Sequence, residues 1–580
     1  MKRTKKPACF LLALLMVFAL AAPALAAENY TITVKNNNPA VSIGQNTYTA
    51  YRLFGVTYGQ DKSSYAYTVT KEFEGFSYTA GGTVYSGEAL IDYLSHQQTD
   101  SETMNAVAKA ALAYINAQNI QPSGTAKASG ETAVIRLSSP GYYLVFGTAT
   151  APEGQTITAA CSLTTTDPAA EINVKADAPS LDKKIDQGTA AGVYDEKDPA
   201  KNQGSVGDTV PFVLHSTVPQ MTGYEKYYFV VRDTLSKGLT FNEDVKITLG
   251  QTALSSDAYT VTHSRAQDGS TEISIVFRNF IQYKQNAGQD ITLYYSATIN
   301  QNAVFGNLGN PNPASLTYSN NPNVTDSGTP ENPDLPTPNS PVGQTPESRT
   351  VTYVAGVRLT KIDNSPEGKI LTGAKFELKG TSINVVLVNG EIFRQSESGS
   401  FYRLKDGTYT QTPPVTSGDE ADTSALYDST TITYEKINTV TKNTETKAIA
   451  TEGWVNSRGE LTFSGLGAGT YTITELVSPA GYNLLKQPIT ITLSWTDTPT
   501  QDGQYWSAQK GSGDEAEPLS IDGETFHFAF EVVNNTGTML PSTGGMGTAL
   551  FYALGAAMVL GAAGWLVYKK RMNAKNQKAN

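Results

Sequence analysis

Between residues 27 and 535 the chain is written in short runs of β-branched and aromatic residues, cut at close intervals by Gly, Asn, Asp and Pro. Tyr30-Thr31-Ile32-Thr33-Val34 and Ile291-Thr292-Leu293-Tyr294-Tyr295 are representative. Runs of this length and type, bounded by turn formers, specify strands. The fold class expected is mainly β, as tandem immunoglobulin-like β-sandwich domains. One stretch departs from this. From Ser101 to Gln118, the residues Met104, Val107, Ala108, Ala111, Leu112 and Ile115 recur at helical spacing, which adds a helix to the first domain and makes that stripe core. With 39% hydrophobic residues and 31 tyrosines there is ample material for packed cores, and the length suits about three domains.

Two longer apolar runs flank this region. Lys2, Arg3, Lys5 and Lys6 precede Phe10 to Ala22, and Ala24-Leu25-Ala26 has the small-x-small form, so residues 1–26 read as a secretory signal. Ala549 to Tyr568 is long enough to cross the hydrocarbon layer as a C-terminal transmembrane helix. The basic residues Lys569-Lys570-Arg571, Lys575 and Lys578 behind it would stay on the cytoplasmic side. The globular part is therefore expected outside the cell. Over the whole chain 43 basic and 54 acidic residues give a net −11, which favours solubility and argues against nucleic acid as a partner. Once Cys9 leaves with the signal, Cys161 alone remains and no internal disulfide can form.

Cofactors and metals are not expected. His96, His215, His263 and His527 have no ligand spacing. Neither Asp61-Lys62-Ser63-Ser64-Tyr65 nor Asp268-Gly269-Ser270-Thr271-Glu272 supplies the last serine of an Asp-x-Ser-x-Ser adhesion site.

Composition sets the boundaries. Asn321 to Arg349 holds Pro322, Pro330, Pro333, Pro336, Pro338, Pro341 and Pro346 among small polar residues, and 326–349 reads as an extended linker. A second boundary falls at Ala176 to Ser180. The expected blocks are 27–176, 177–325 and 350–535, with 540–580 as a C-terminal signal.

That signal has a specific form. Leu540-Pro541-Ser542-Thr543-Gly544, then the apolar run and the basic tail, resembles the cell-wall sorting signal of Gram-positive surface proteins. The resemblance implies that a sortase cuts between Thr543 and Gly544 and passes the threonyl group to an amine. A plain membrane anchor is the simpler alternative.

In the third block Val357-Arg358-Leu359-Thr360-Lys361-Ile362-Asp363, Gly373-Ala374-Lys375-Phe376-Glu377-Leu378, Gly469-Thr470-Tyr471-Thr472-Ile473-Thr474-Glu475 and Pro479-Ala480-Gly481-Tyr482 resemble a collagen-adhesin B-type domain. The resemblance implies a covalent bond from Lys361 to Asn534, with Asn535 as fallback, promoted by Glu475. Chemistry gives the reason for that trio. A lysine attacks only when neutral, and burial disfavours its charge. The same burial raises the acid's hold on its proton, so it can polarise the asparagine amide and relay protons as ammonia leaves. An ordinary ion pair is the alternative. The span 381–459 exceeds what such a domain needs.

The second block, through Leu181-Asp182-Lys183-Lys184-Ile185, Val206-Gly207-Asp208-Thr209-Val210, Val231-Arg232-Asp233-Thr234-Leu235 and Leu316-Thr317-Tyr318-Ser319-Asn320-Asn321-Pro322, resembles the isopeptide-forming domain of fimbrial shaft proteins. If Leu181 and Ile185 face inward, period-two alternation puts Lys183 on their face and Lys184 in solvent. The expected trio is Lys183, Asn320 and Asp233. The doublets Lys183/Lys184 and Asn320/Asn321 leave the choice open, and Asp233 could instead be a turn residue.

In shaft subunits the amine acceptor lies at the end of the first domain. Here Glu171-Ile172-Asn173-Val174-Lys175 stands in that place without the usual Tyr-Pro pair, which makes Lys175 the polymerisation acceptor implied. As a whole the chain resembles SpaA-like major pilins. The resemblance implies a structural subunit of a covalent, wall-anchored pilus with no action on external substrates. Its implied partners are sortases, further copies, accessory pilins, peptidoglycan and, where one exists, a host receptor. A monomeric wall-anchored adhesin or an accessory tip or basal pilin is the alternative.

Overall fold

The computed structural model describes residues 30–576 apart from 59–63, 167–168, 189–191, 381–386, 389–392, 396, 406–408, 418–421, 437–448, 524 and 538–545. The signal at 1–26 and the motif Leu540 to Gly544 lie outside the described residues.

The first domain is two sheets and a helical cap. Tyr30–Lys35 lies between Thr132–Leu137, antiparallel, and Ala169–Asn173, parallel. Its inward residues Ile32 and Val34 are buried, as the alternation requires. The second sheet orders Ser162–Thr166, Gly141–Thr150, Thr47–Tyr58 and Tyr65–Val69. The expected helix is Glu102–Gln118. Ser101 caps it, its hydroxyl accepting from the Met104 amide, and Asn119 ends it in the left-handed conformation. Val107, Ala108, Ala111, Leu112 and Ile115 are buried. A shorter helix, Gly87–Ser95, buries only Leu90 and Leu94, too few positions to read as periodic.

The second domain is a sandwich of two larger sheets. One contains Asp182–Ile185, Thr209–Thr217, Asp290–Ile299 and Lys246–Leu249 in that order. The other runs Lys201–Gln203, Ser348–Tyr353, Asn310–Ser319, Phe229–Leu235, Thr271–Phe277 and Tyr259–Arg265. The end of the proline-rich stretch is built into this sheet. Val342–Gln344 and Ser348–Tyr353 both pair with Asn310–Ser319, and the second domain closes at Tyr353, not at 325. Pro341 and Pro346 flank these strands and leave the amides within them free to pair, while Thr345, Thr350 and Thr352 are buried.

The third domain begins with Ala355–Asp363, antiparallel to Glu460–Leu466 and parallel to Phe528–Asn534. Its core is a separate cluster that includes Leu359, Phe376, Phe463, Tyr471, Ile473 and Phe530. From the long span 381–459, Ile449–Trp454 joins the main sheet beside Lys375–Gly380. Two short ladders, Phe393–Gln395 with Tyr434–Lys436 and Tyr402–Arg403 with Tyr409–Thr410, form a side module.

Polar contacts fix the joints between domains. Asn320 O accepts from Thr158 N at 2.9 Å across the first. Gly465 O accepts from Val206 N at 3.0 Å and Asn307 Oδ1 from Tyr505 N at 3.0 Å across the second. The helix Met546–Asn576 encloses the expected span. Among the described residues no helix is long and apolar enough to cross a membrane. The side chains described in this helix run from 554 to 571, a stretch that includes Lys569, Lys570 and Arg571.

Candidate cross-link and assembly sites

Asp182–Ile185 alternates as expected, burying Lys183 and Ile185. Lys184 stays at the surface beside Asp182. Lys183 Nζ donates to Asp233 Oδ2 at 2.5 Å and to Tyr295 Oη at 2.8 Å. The rings of Phe212 and Tyr295 lie 5.0 and 5.2 Å from it. Burial pushes the Lys183 amine down to about 8, against the opposing pull of Asp233.

The asparagine in this pocket is Asn312, not Asn320. Asn312 is fully buried and its Nδ2 donates to Tyr295 Oη at 2.8 Å. Asn320 instead faces the first domain, donating from Nδ2 to Thr156 O and accepting at its carbonyl from Thr158 N. The neighbouring Asn321 caps a turn through Asn323 N. The reason is height along the strand. Asp233 pairs with Ala314, one inward step from Asn312. Asn320 is six residues further on, roughly 20 Å at ~3.3 Å per residue.

In the third domain the structure brings Lys361, Glu475 and Asn534 to one place. Lys361, Glu475 and Asn534 are all buried. Lys361 pairs with Val532 in parallel register and donates to its carbonyl at 2.8 Å, and Asn534 occupies the next inward position on that strand. Asn534 Nδ2 donates to Glu475 Oε1 at 2.9 Å and Oε2 at 3.1 Å. Burial lowers the Lys361 amine to about 8, against the attraction of Glu475. Burial also raises the Glu475 carboxyl, opposed by the Leu485 amide and then by Lys361. Asn535 is exposed, at the end of the strand.

Both sites share a further feature. Among the described residues, Asn312 Oδ1 and Asn534 Oδ1 are buried without a hydrogen-bond partner. Such a carbonyl costs about 1–3 kcal/mol, and its carbon is the atom that an attacking amine would meet. Lys183 and Lys361 are the two lysines buried among the described residues, and the first domain buries none.

Lys175 follows the last strand of the first domain. Its Nζ meets Asp100 Oδ1 at 2.5 Å and Asn105 Oδ1 at 3.3 Å. A cleft of about 1100 Å³ at the joint with the second domain is lined by Lys175, Asp177, Pro179 and Thr217.

Family models match in three places. Residues 206–322 match the Gram-positive pilin backbone subunit 2, Cna-B-like domain; 418–504 match the SpaA prealbumin-like fold domain; 532–575 match the LPXTG cell wall anchor motif. The chain is 26% identical over 418 residues to the trypsin-resistant surface T6 protein of Streptococcus pyogenes serotype M6, covering 68% of this chain and 70% of that one. The solved T6 backbone pilin of serotype M6 Streptococcus pyogenes has the same fold, with a TM-score of 0.50 at 17% identity, covering 88% of this chain and 99% of that one. The protein is a structural subunit of the Gram-positive cell surface, mainly β, and not an enzyme. It is a structural pilus subunit carried on a cell-wall anchor.

Proposed function

We propose that this chain is the shaft subunit of a covalent pilus. Sortase joins Thr543 of one copy to Lys175 of the next, and each copy is locked by two self-formed bonds, Lys183–Asn312 and Lys361–Asn534. The observation that carries the internal bonds is a coincidence of burial: of the two lysines buried among the described residues, Lys183 donates to the buried Asp233 with Asn312 in the same pocket, and Lys361 feels the charge of the buried Glu475, which accepts from the buried Asn534. Isolated charges are costly in a β-sandwich core, and a reaction that consumes them accounts for their presence.

Polymer formation is supported by the place of Lys175. It stands at a joint between domains, held by Asp100 and Asn105, where it lines the cleft. The helix after residue 545 would hold the chain in the membrane while Thr543 is presented to the sortase. An immunoblot of wall extracts tests the reading. A ladder of large, detergent-resistant species supports it, and a single monomer band refutes it in favour of a monomeric adhesin.

A further inference from the structure

The hydroxyl of Tyr295 is the hub of the second-domain pocket. It accepts from Lys183 Nζ at 2.8 Å and from Asn312 Nδ2 at 2.8 Å, and it donates to Asp233 Oδ2 at 2.8 Å. The residue is fully buried. Phe212 and Phe241, with ring centroids at 5.3 and 5.7 Å, hold its ring in place. A phenylalanine would fill the same space without the cost of burying a hydroxyl.

The two cross-link pockets differ at this point. In the third domain Glu475 reaches the asparagine amide directly with both oxygens. In the second, the acid is shorter by one methylene. The hydrogen bonds of Asp233 Oδ2 go to Lys183 and Tyr295, and that of Asn312 Nδ2 goes to Tyr295. The acid and the departing nitrogen therefore communicate through the phenol.

We propose that Tyr295 is a catalytic residue of the second-domain cross-link, relaying a proton between Asp233 and the nitrogen that leaves Asn312; this rests on the Lys183–Asn312 bond argued above. One proton moves from Nζ to Asp233 and frees the amine to attack Asn312 Cγ. In the tetrahedral adduct Tyr295 gives its proton to Nδ2 and regains one from Asp233. The Cγ–Nδ2 bond breaks and ammonia leaves. The carboxylate then takes a second proton from Nζ. Of the ammonium's three protons, one stays on the new amide, one departs with ammonia and one rests on Asp233, so the net charge is zero before and after.

Tyr295→Phe in the full chain tests the relay. Newly synthesised protein is sampled over time, digested, and scored for the peptides joining 183 to 312 and 361 to 534. General acid–base relays are worth on the order of 10²-fold or more. The 183–312 peptide should accumulate about 10²-fold more slowly than in the unmutated chain, with 361–534 unaffected. Equal accumulation of 183–312 in variant and parent overturns the relay. Absence of that peptide from the parent overturns instead the cross-link on which the relay rests. If Tyr295→Phe leaves the second domain open to protease, ring-fluorinated tyrosine keeps the shape and makes the hydroxyl a stronger acid. A changed 183–312 rate beside an unchanged 361–534 rate then supports the relay, and two unchanged rates overturn it.

Discussion

Lys175 Nζ lies 2.5 Å from Asp100 Oδ1, an ion pair linking the end of the first domain's last strand to the turn that opens its long helix. Asp100 is largely exposed, so the pair contributes at most about 1 kcal/mol to stability. Its interest is positional, because it gives the amine a fixed address at the domain joint. Lys175→Ala should remove the polymer ladder and leave wall-bound monomer. Lys175→Arg should do the same, since a guanidinium stays protonated and attacks poorly. Persistence of the ladder in both variants would mean that another lysine is the acceptor, which mapping the branched peptide at Thr543 would identify.

Deleting Leu540 to Gly544 separates sorting from folding. The variant should lose both polymer and wall attachment while its ectodomain resists protease as before. Wall-linked material in this variant would refute the sorting assignment.

Mass spectrometry distinguishes the two candidate asparagines of the second domain. The unmutated ectodomain should be lighter than its sequence by one ammonia for each cross-linked domain. Asn312→Ala should restore one ammonia, whereas Asn320→Ala should restore none. The reverse result would return the assignment to Asn320.

Glu475→Ala should likewise restore one ammonia and loosen the third domain. A bond between Lys361 and Asn534 closes nearly the whole domain into one loop, and the chain-entropy model values such closure at about 5 kcal/mol. The midpoint of thermal unfolding should fall clearly, and reducing agent should leave the unmutated chain unchanged. An unaltered midpoint would show that the bond is not being made.

In Asn534→Ala the bond cannot form and Lys361 keeps its amine. Burial lowers that amine in the folded chain from 10.5 to about 8. Between these values the unfolded chain binds more protons, so stability rises with pH across the window. The third domain of the variant should become more resistant to denaturant from about pH 8 towards 10.5, a climb the cross-linked parent does not share. A variant that weakens or stays level against the parent over this range would contradict the burial argument.

The burial of the third-domain trio was legible because each member shares an inward parity with a core neighbour: Lys361 two places after Leu359, Glu475 two places after Ile473, Asn534 two places after Val532. The second was legible only in part. Parity put Lys183 on the buried face and Lys184 off it, as the structure has them, yet it could not separate Asn312 from Asn320, which share it. Asn310-Pro311-Asn312-Pro313 reads as a turn, although it forms the start of the strand Asn310–Ser319. Register with Asp233, a pairing between distant segments, sets Asn312 and not Asn320 near the height of the acid. Tyr295 was hidden differently, since an inward tyrosine on a strand ordinarily signals core. The linker between 326 and 349 was misjudged because proline content was weighed over the short runs Val342–Gln344 and Ser348–Tyr353 that pair.

The parallel pairing of Ala355–Asp363 with Phe528–Asn534 governs how a pulled fibre would respond. Tension would enter the domain at the start of one of these strands and leave at the end of the other, so traction runs along their shared ladder and loads its hydrogen bonds together instead of unzipping them one by one. With Lys361 tied to Asn534, the force would cross from strand to strand through a covalent strut. Nearly all the sequence between would hang outside the line of pull, giving a fibre that transmits a tug without lengthening.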